Sequence, residues 1–172
     1  MRIDLIPRGG EFYKANLHCH STISDGKLSP EEIKALYLKL GYSIVAFTDH
    51  NVLVPHDELT DDDFLALRGV EIDISEAGKT WEKTKCAHFT MIALDPRILV
   101  QPCWHRSKYV WGNSLKYKDK VLYNHSEQDF ERHYSAECIN RIIKRFADAG
   151  FFVTYNHPTW SLQHYNEYIE YE

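Results

Sequence analysis

Apolar residues fall into two repeating patterns along this chain. In "LSPEEIKALYLKLGY" they recur at helical spacing, with Ile33, Leu36, Tyr37 and Leu40 on one stripe. The ends of that helix are marked. Ser29 is a candidate N-cap, Pro30 the first helical residue, Glu32 the capping-box acid and Gly41 the left-handed stop. "SAECINRIIKRFADAG" repeats the pattern, with Ile139, Ile142, Ile143 and Phe146 on one face and Gly150 at the end. Around these helices lie short apolar runs that read as strands: "EFYKA", "YSIVAFTDH", "FLALRGVEIDIS", "CAHFTMIAL" and "FFVTYNHP". A further helix is predicted to begin in "SLQHYNEYIEYE", capped by Ser161. Strands that alternate with helices or long connections predict an α/β fold with mainly parallel strands.

The polar residues that interrupt this pattern cluster at strand ends. His18, His20, His50 and His157 each fall at the carboxyl end of a predicted strand, and Asp25, Asp49 and Glu71 fall at or near such ends. In parallel α/β folds the loops at that edge converge, and sites form there. A strand sends alternate side chains to one face, so His18 and His20 project together while Cys19 points away into packing. Alone, a His-x-His pair reads equally as a metal corner or as one core histidine beside a solvated one. Four strands delivering imidazole or carboxylate to one edge favour the metal cluster. His56, His105, His125, His133 and His164 fall in loops or on helix surfaces and are expected to be solvated.

Length and composition narrow the class. The 172 residues suit one domain, and 44% hydrophobic with 26% charged residues is ordinary for a soluble globular protein. A net charge of −5, with a pI near 6.0, gives no global electrostatic case for nucleic acid or an anionic membrane. No apolar run spans a bilayer, and the N-terminus lacks a signal-peptide core. The four cysteines (Cys19, Cys86, Cys103 and Cys138) form no C-x-x-C pair, so reduced thiols and a cytoplasmic location are expected.

The segments "NLHCHSTISDG", "FTDHN", "GVEID", "AHFTMIAL" and "NHP" resemble, in order, the motifs of the PHP family, named for polymerase and histidinol phosphatase. The resemblance runs from about Lys14 to the end of the chain, apart from the 95–134 connection, which reads as an insertion. It implies a distorted seven-stranded α/β barrel whose strand C-termini hold up to three divalent ions and hydrolyse phosphate esters. By matching positions, His18, His20 and Glu71 would bind a first metal. Glu71, His88 and His157 would bind a second, with Glu71 as bridge, and Asp25 and His50 a third. Asp49 and Glu71 are the candidate catalytic residues, Asp49 by orienting His50 or a bound water. Imidazole with carboxylate suits zinc, manganese or iron.

The chain departs from the family where a closing Asp-x-His is implied, since none follows His157. Only five strand candidates stand where seven are implied. The expectation is an incomplete barrel: the N-terminal part of a longer protein, or one completed by a partner chain. Open strand edges would favour self-association. The implied substrate is a small phosphomonoester or a nucleotide. A nuclease acting on oligonucleotide ends, or a non-catalytic metal-binding module, are the alternatives. The "CWHRSKYVWGNSLKYKDKVLY" stretch is either a lid that stacks a base and grips phosphate, or a solvated insertion.

Overall fold

The computed structural model describes residues 9–171. Strands β1 (Ala15–Cys19), β2 (Ile44–Phe47), β3 (Leu65–Ser75), β4 (Cys86–Ala93) and β5 (Phe151–Asn156) form one sheet in chain order, curled into a half-barrel. Helix α1 (Pro30–Lys39) links β1 to β2, α2 (Ala136–Asp148) precedes β5, and α3 (Tyr165–Tyr168) follows it. The α/β class and the five strands match the sequence reading.

The α1 boundaries follow from the local chemistry already named. The Ser29 hydroxyl accepts from the Glu32 amide, the Glu32 carboxylate accepts from the Ser29 amide, and Gly41 has φ +77°. The apolar stripe is only partly used. Ile33 is buried and Tyr37 half-buried, but Leu36 and Leu40 are exposed. Helix α2 buries its face as expected, with Ile139, Ile142 and Phe146 fully enclosed. Its N-cap is Ser135, which accepts from the Cys138 amide.

Three expectations need correction. β1 begins at Ala15, so the residues before it in "EFYKA" are outside the strand. The last helix is a single turn starting at Tyr165, and Ser161 belongs to the preceding turn, its amide bonded to the His157 carbonyl. The sheet is parallel only from β1 through β3; β3–β4 and β4–β5 are antiparallel. The β3–β4 connection carries only a short 3₁₀ turn (Trp81–Lys83), too little chain for the helical crossover that a parallel partner requires.

That antiparallel half sorts side chains cleanly. Opposed residues share a face, so the pairs Glu71–Thr90, Asp73–His88, Thr90–Thr154 and His88–Asn156 gather polar groups on one side. Val70, Ile72, Ile74, Ala87, Phe89 and Met91 alternate onto the other side and pack against α2. A second cluster around Ile33, Val45, Phe47 and Phe64 joins α1 to β2 and takes Cys19 at its margin. A third, holding Trp104 and Val121 against Ile23 and Val52, fastens the 94–135 connection to the sheet end.

The central cluster makes a direct forecast. Phe146→Ala removes a fully buried ring that meets Phe151 edge-on at 5.1 Å, and should lower unfolding free energy by ~3–5 kcal/mol. Lys144→Ala, on the exposed face, should stay within about 0.5 kcal/mol in the same urea titration.

Candidate metal centre

Glu71 projects from the middle of β3 onto the polar face, where its side chain is 1% exposed. Five histidines surround it. Its Oε1 is 3.5 Å from His18 Nε2, 3.2 Å from His88 Nδ1 and 3.2 Å from His157 Nε2. Its Oε2 is 3.0 Å from His20 Nε2 and 3.3 Å from His50 Nδ1. Two sets of donor atoms, His18–Glu71–His157 and His20–His50–Glu71, each lie within 4.8 Å of one another.

Hydroxyl groups behind the histidines decide which nitrogen faces the centre. Thr48 Oγ1 donates to the Cys19 carbonyl, which leaves its lone pairs for the Cys19 amide and for His18 Nδ1 at 2.9 Å. Ser24 Oγ gives its proton to Asp49 at 2.7 Å and can accept from His20 Nδ1 at 3.3 Å. Ser161 Oγ lies 3.4 Å from His157 Nδ1. The Thr48 and Ser24 contacts favour a proton on Nδ1 of His18 and His20 and leave their Nε2 lone pairs turned toward Glu71.

Lone pairs facing a carboxylate across 3.0–3.5 Å repel unless a proton or a cation lies between. His50 Nδ1 and Glu71 Oε2 are buried and have no hydrogen-bond partner among the described residues. Buried polar atoms are seldom left so. The donor set, imidazole with one shared carboxylate, therefore fits a divalent metal ion.

In the protein without ions, protons take over part of this balance. Burial opposes a charge on Glu71, but the contacts of His157, His20 and His88 outweigh it and hold the carboxyl far below the usual range. Burial likewise opposes charge on His88, and the neighbouring Cys86 and Glu71 override it, raising the imidazole to about 10. His20 is also raised, Glu71 overcoming the cost of burial. For His18 burial prevails and lowers the group to about 4, and burial lowers His50 too.

Residues 16–168 match the family model described as the PHP domain. The chain belongs to the PHP domain family. A 72-residue stretch, 40% of this chain, is 36% identical to a 5′-3′ exoribonuclease of Haemophilus influenzae and spans a quarter of that protein. Among solved structures, a protein of Bifidobacterium adolescentis assigned as a metal-dependent phosphoesterase aligns with a TM-score of 0.49 at 18% identity, over 84% of this chain and 67% of that one. An amidohydrolase of Chromobacterium violaceum, with bound sulfate and no metal, gives 0.49 at 16%, over 85% and 67%.

Within this PHP chain the expected site residues come together with a different grouping. His18 and His20 separate onto the two oxygens of Glu71, and His88 shares Oε1 with His18 and His157. Asp25 stands at the rim, 3.5 Å from His20 Nδ1 and 3.8 Å from His50 Nε2. The loop carrying it folds so tightly that a Cβ on Gly26 would lie 2.3 Å from the His20 carbonyl oxygen. Asp49 does not reach for His50. Its carboxylate accepts from the amides of Ser21 and Ser24 at 2.8 and 3.1 Å and from both hydroxyls at 2.9 and 2.7 Å. It thereby fixes the loop between His20 and Asp25.

Several contributors escaped the sequence reading. Asn156 donates to Glu71 Oε1 at 2.9 Å and to Thr90 Oγ1 at 2.6 Å. Asp73 accepts from Asn51 and from Trp111 Nε1, and Arg132 donates to Asn51 Oδ1 and to the Asp73 carbonyl. Asp73 and Thr90 share the alternation of Glu71 and His88, a usable signal; Arg132 has none. Asn51 (φ +62°) and His157 (φ +28°) hold the left-handed backbone that side chains seldom adopt, a strain typical of site loops. His56 and His105 are buried, not solvated. His56 packs on Phe47 at 4.8 Å, and His105 pairs with Glu131 at 3.2 Å. His125, His133 and His164 are exposed as expected.

Glu71→Gln keeps the shape but removes the charge that both donor sets share. Metal analysis after purification should find it depleted relative to wild type and to His133→Ala. Equal metal content in all three proteins would refute a shared carboxylate.

Proposed function

We propose that this chain hydrolyses phosphate esters with divalent ions held around Glu71. The observation carrying the reading is the buried pair formed by Glu71 Oε2 and His50 Nδ1, without a hydrogen bond among the described residues, inside a ring of imidazoles. His18, His20, His50, His88 and His157, with Glu71 between them and Asp25 at the rim, are the proposed ligands. When bound, clustered divalent ions acidify a water nucleophile and neutralise charge on the phosphoryl group. No serine or cysteine nucleophile is then needed. The protein's own part is to orient the imidazoles through Thr48, Ser24 and Ser161, and to anchor the rim loop through Asp49. Asp49 acts as a positioning residue in this reading.

The substrate is a small phosphomonoester or a nucleotide. A second reading, trimming of polynucleotide ends, draws support from the alignment with the Haemophilus influenzae 5′-3′ exoribonuclease. Binding of a polynucleotide would weaken steeply with salt, whereas binding of a monoester would not.

Turnover of glycerol phosphate and nucleoside monophosphates, with manganese, zinc or iron added singly, tests the proposal. The expected result is hydrolysis that a chelator abolishes and that Glu71→Gln lowers by at least about a hundredfold, in line with loss of a group stabilising the transition state. Hydrolysis indifferent to chelator, or absent with every metal on every ester, would overturn it.

A further inference from the structure

A groove of about 730 Å³ opens directly from the histidine cluster, within the range of roughly 300–1,000 Å³ common for small-ligand sites. It is lined by Asp25, His50 and His88 of the cluster, by Trp111 and Trp160, and by Lys79. The two indoles come from separate parts of the chain, one from the 94–135 connection and one from the turn after β5. They are joined through the site itself. Trp111 lies 4.7 Å from His50, His50 is 5.8 Å from His88, and His88 is 5.6 Å from Trp160.

Both rings are anchored yet open. Trp111 is 42% exposed, and its Nε1–H donates to Asp73 at 3.3 Å. Trp160 is 65% exposed, and meets His88 and His157 near the perpendicular, at 80° and 79°. Neither histidine lies flat on it, so its stacking capacity is not spent inside the protein. Large exposed aromatics on the walls of a polar groove are platforms for a planar ring. Asp73, Ser75 and Thr84 on the same lining offer acceptors and donors for the edge of such a ring.

We infer that this groove binds a nucleobase against Trp111 and Trp160, so that the phosphoester entering the centre carries a nucleoside. The inference rests on the phosphoesterase reading above and narrows its substrate class. The nucleoside can come from a free nucleotide or from the end of a polynucleotide, since both present the same base beside a phosphate.

Calorimetric titration of the metal-loaded chain with adenosine tests the base site without any hydrolysis. Adenosine should bind and ribose should not. Trp160→Ala should weaken adenosine binding roughly 5- to 150-fold, the range measured for losing one stacked base, while Trp160→Phe should retain most of the affinity. Metal content, equal in all forms, would show that the centre is intact. Adenosine that fails to bind, binds no better than ribose, or is indifferent to Trp160→Ala would overturn the inference. Glycerol phosphate turnover separates the two layers. If it is hydrolysed while adenosine fails to bind, the nucleobase inference falls and the phosphoesterase reading stands. If adenosine binds through Trp160 but no phosphoester is cleaved, the base site stands and the phosphoesterase reading falls. Comparing adenosine monophosphate with a 5′-phosphorylated dinucleotide then identifies the source, tighter binding of the dinucleotide indicating a polynucleotide end.

Discussion

A carboxylate buried at the centre of a sheet must be compensated by positive charge, and Glu71 sets the terms for everything around it. An ionised acid in that position, alone, would be among the costliest groups a fold can enclose. Here five imidazoles come to it from β1, β4 and the turns after β1, β2 and β5, and Asn156 adds an amide. The donor set suits divalent cations better than protons, for among the described residues Glu71 Oε2 and His50 Nδ1 have no hydrogen-bond partner.

The sheet can meet this demand because its two faces do different work. Alternation along β3 and β4 sends Val70, Ile72, Phe89 and Met91 into the core under α2 and sends Glu71, Asp73, His88 and Thr90 to the site. The core is thus the rigid backing of the metal centre. The 94–135 connection braces the other side. Ser114 donates to the His50 carbonyl, Gln101 bonds the backbone of Asn51 and Leu53, and Arg132 ties Asn51 to Asp73. All but the Arg132 bond to the Asp73 carbonyl fall on the segment that carries His50, so the connection is part of the site's framework.

Sequence legibility followed the range of the forces involved. Helix ends, strand cores and the His18–His20 pair are set by neighbours a few residues away, and the Ser29–Glu32 box or the Ile139–Ile142–Phe146 face could be read directly. Strand direction could not, because β3 and β4 turn antiparallel through a connection that no periodicity marks. Nor could the burial of His56 and His105, which depends on Phe47 and Glu131 arriving from elsewhere. Asp49 shows the same limit at one residue. Its motif placed it in the site, but its partners, Ser21 and Ser24, lie in a loop 25 residues or more away.

Anomalous diffraction from crystals grown with manganese or zinc tests most directly whether Glu71 divides its two oxygens between ions. At least two peaks are expected, one against each oxygen of Glu71, the first beside His18 and His157 and the second beside His20 and His50. For zinc the bonds should be about 2.0–2.2 Å. Crystals soaked with either metal that show no peak within reach of Glu71, or a single peak touching neither oxygen, would contradict that division.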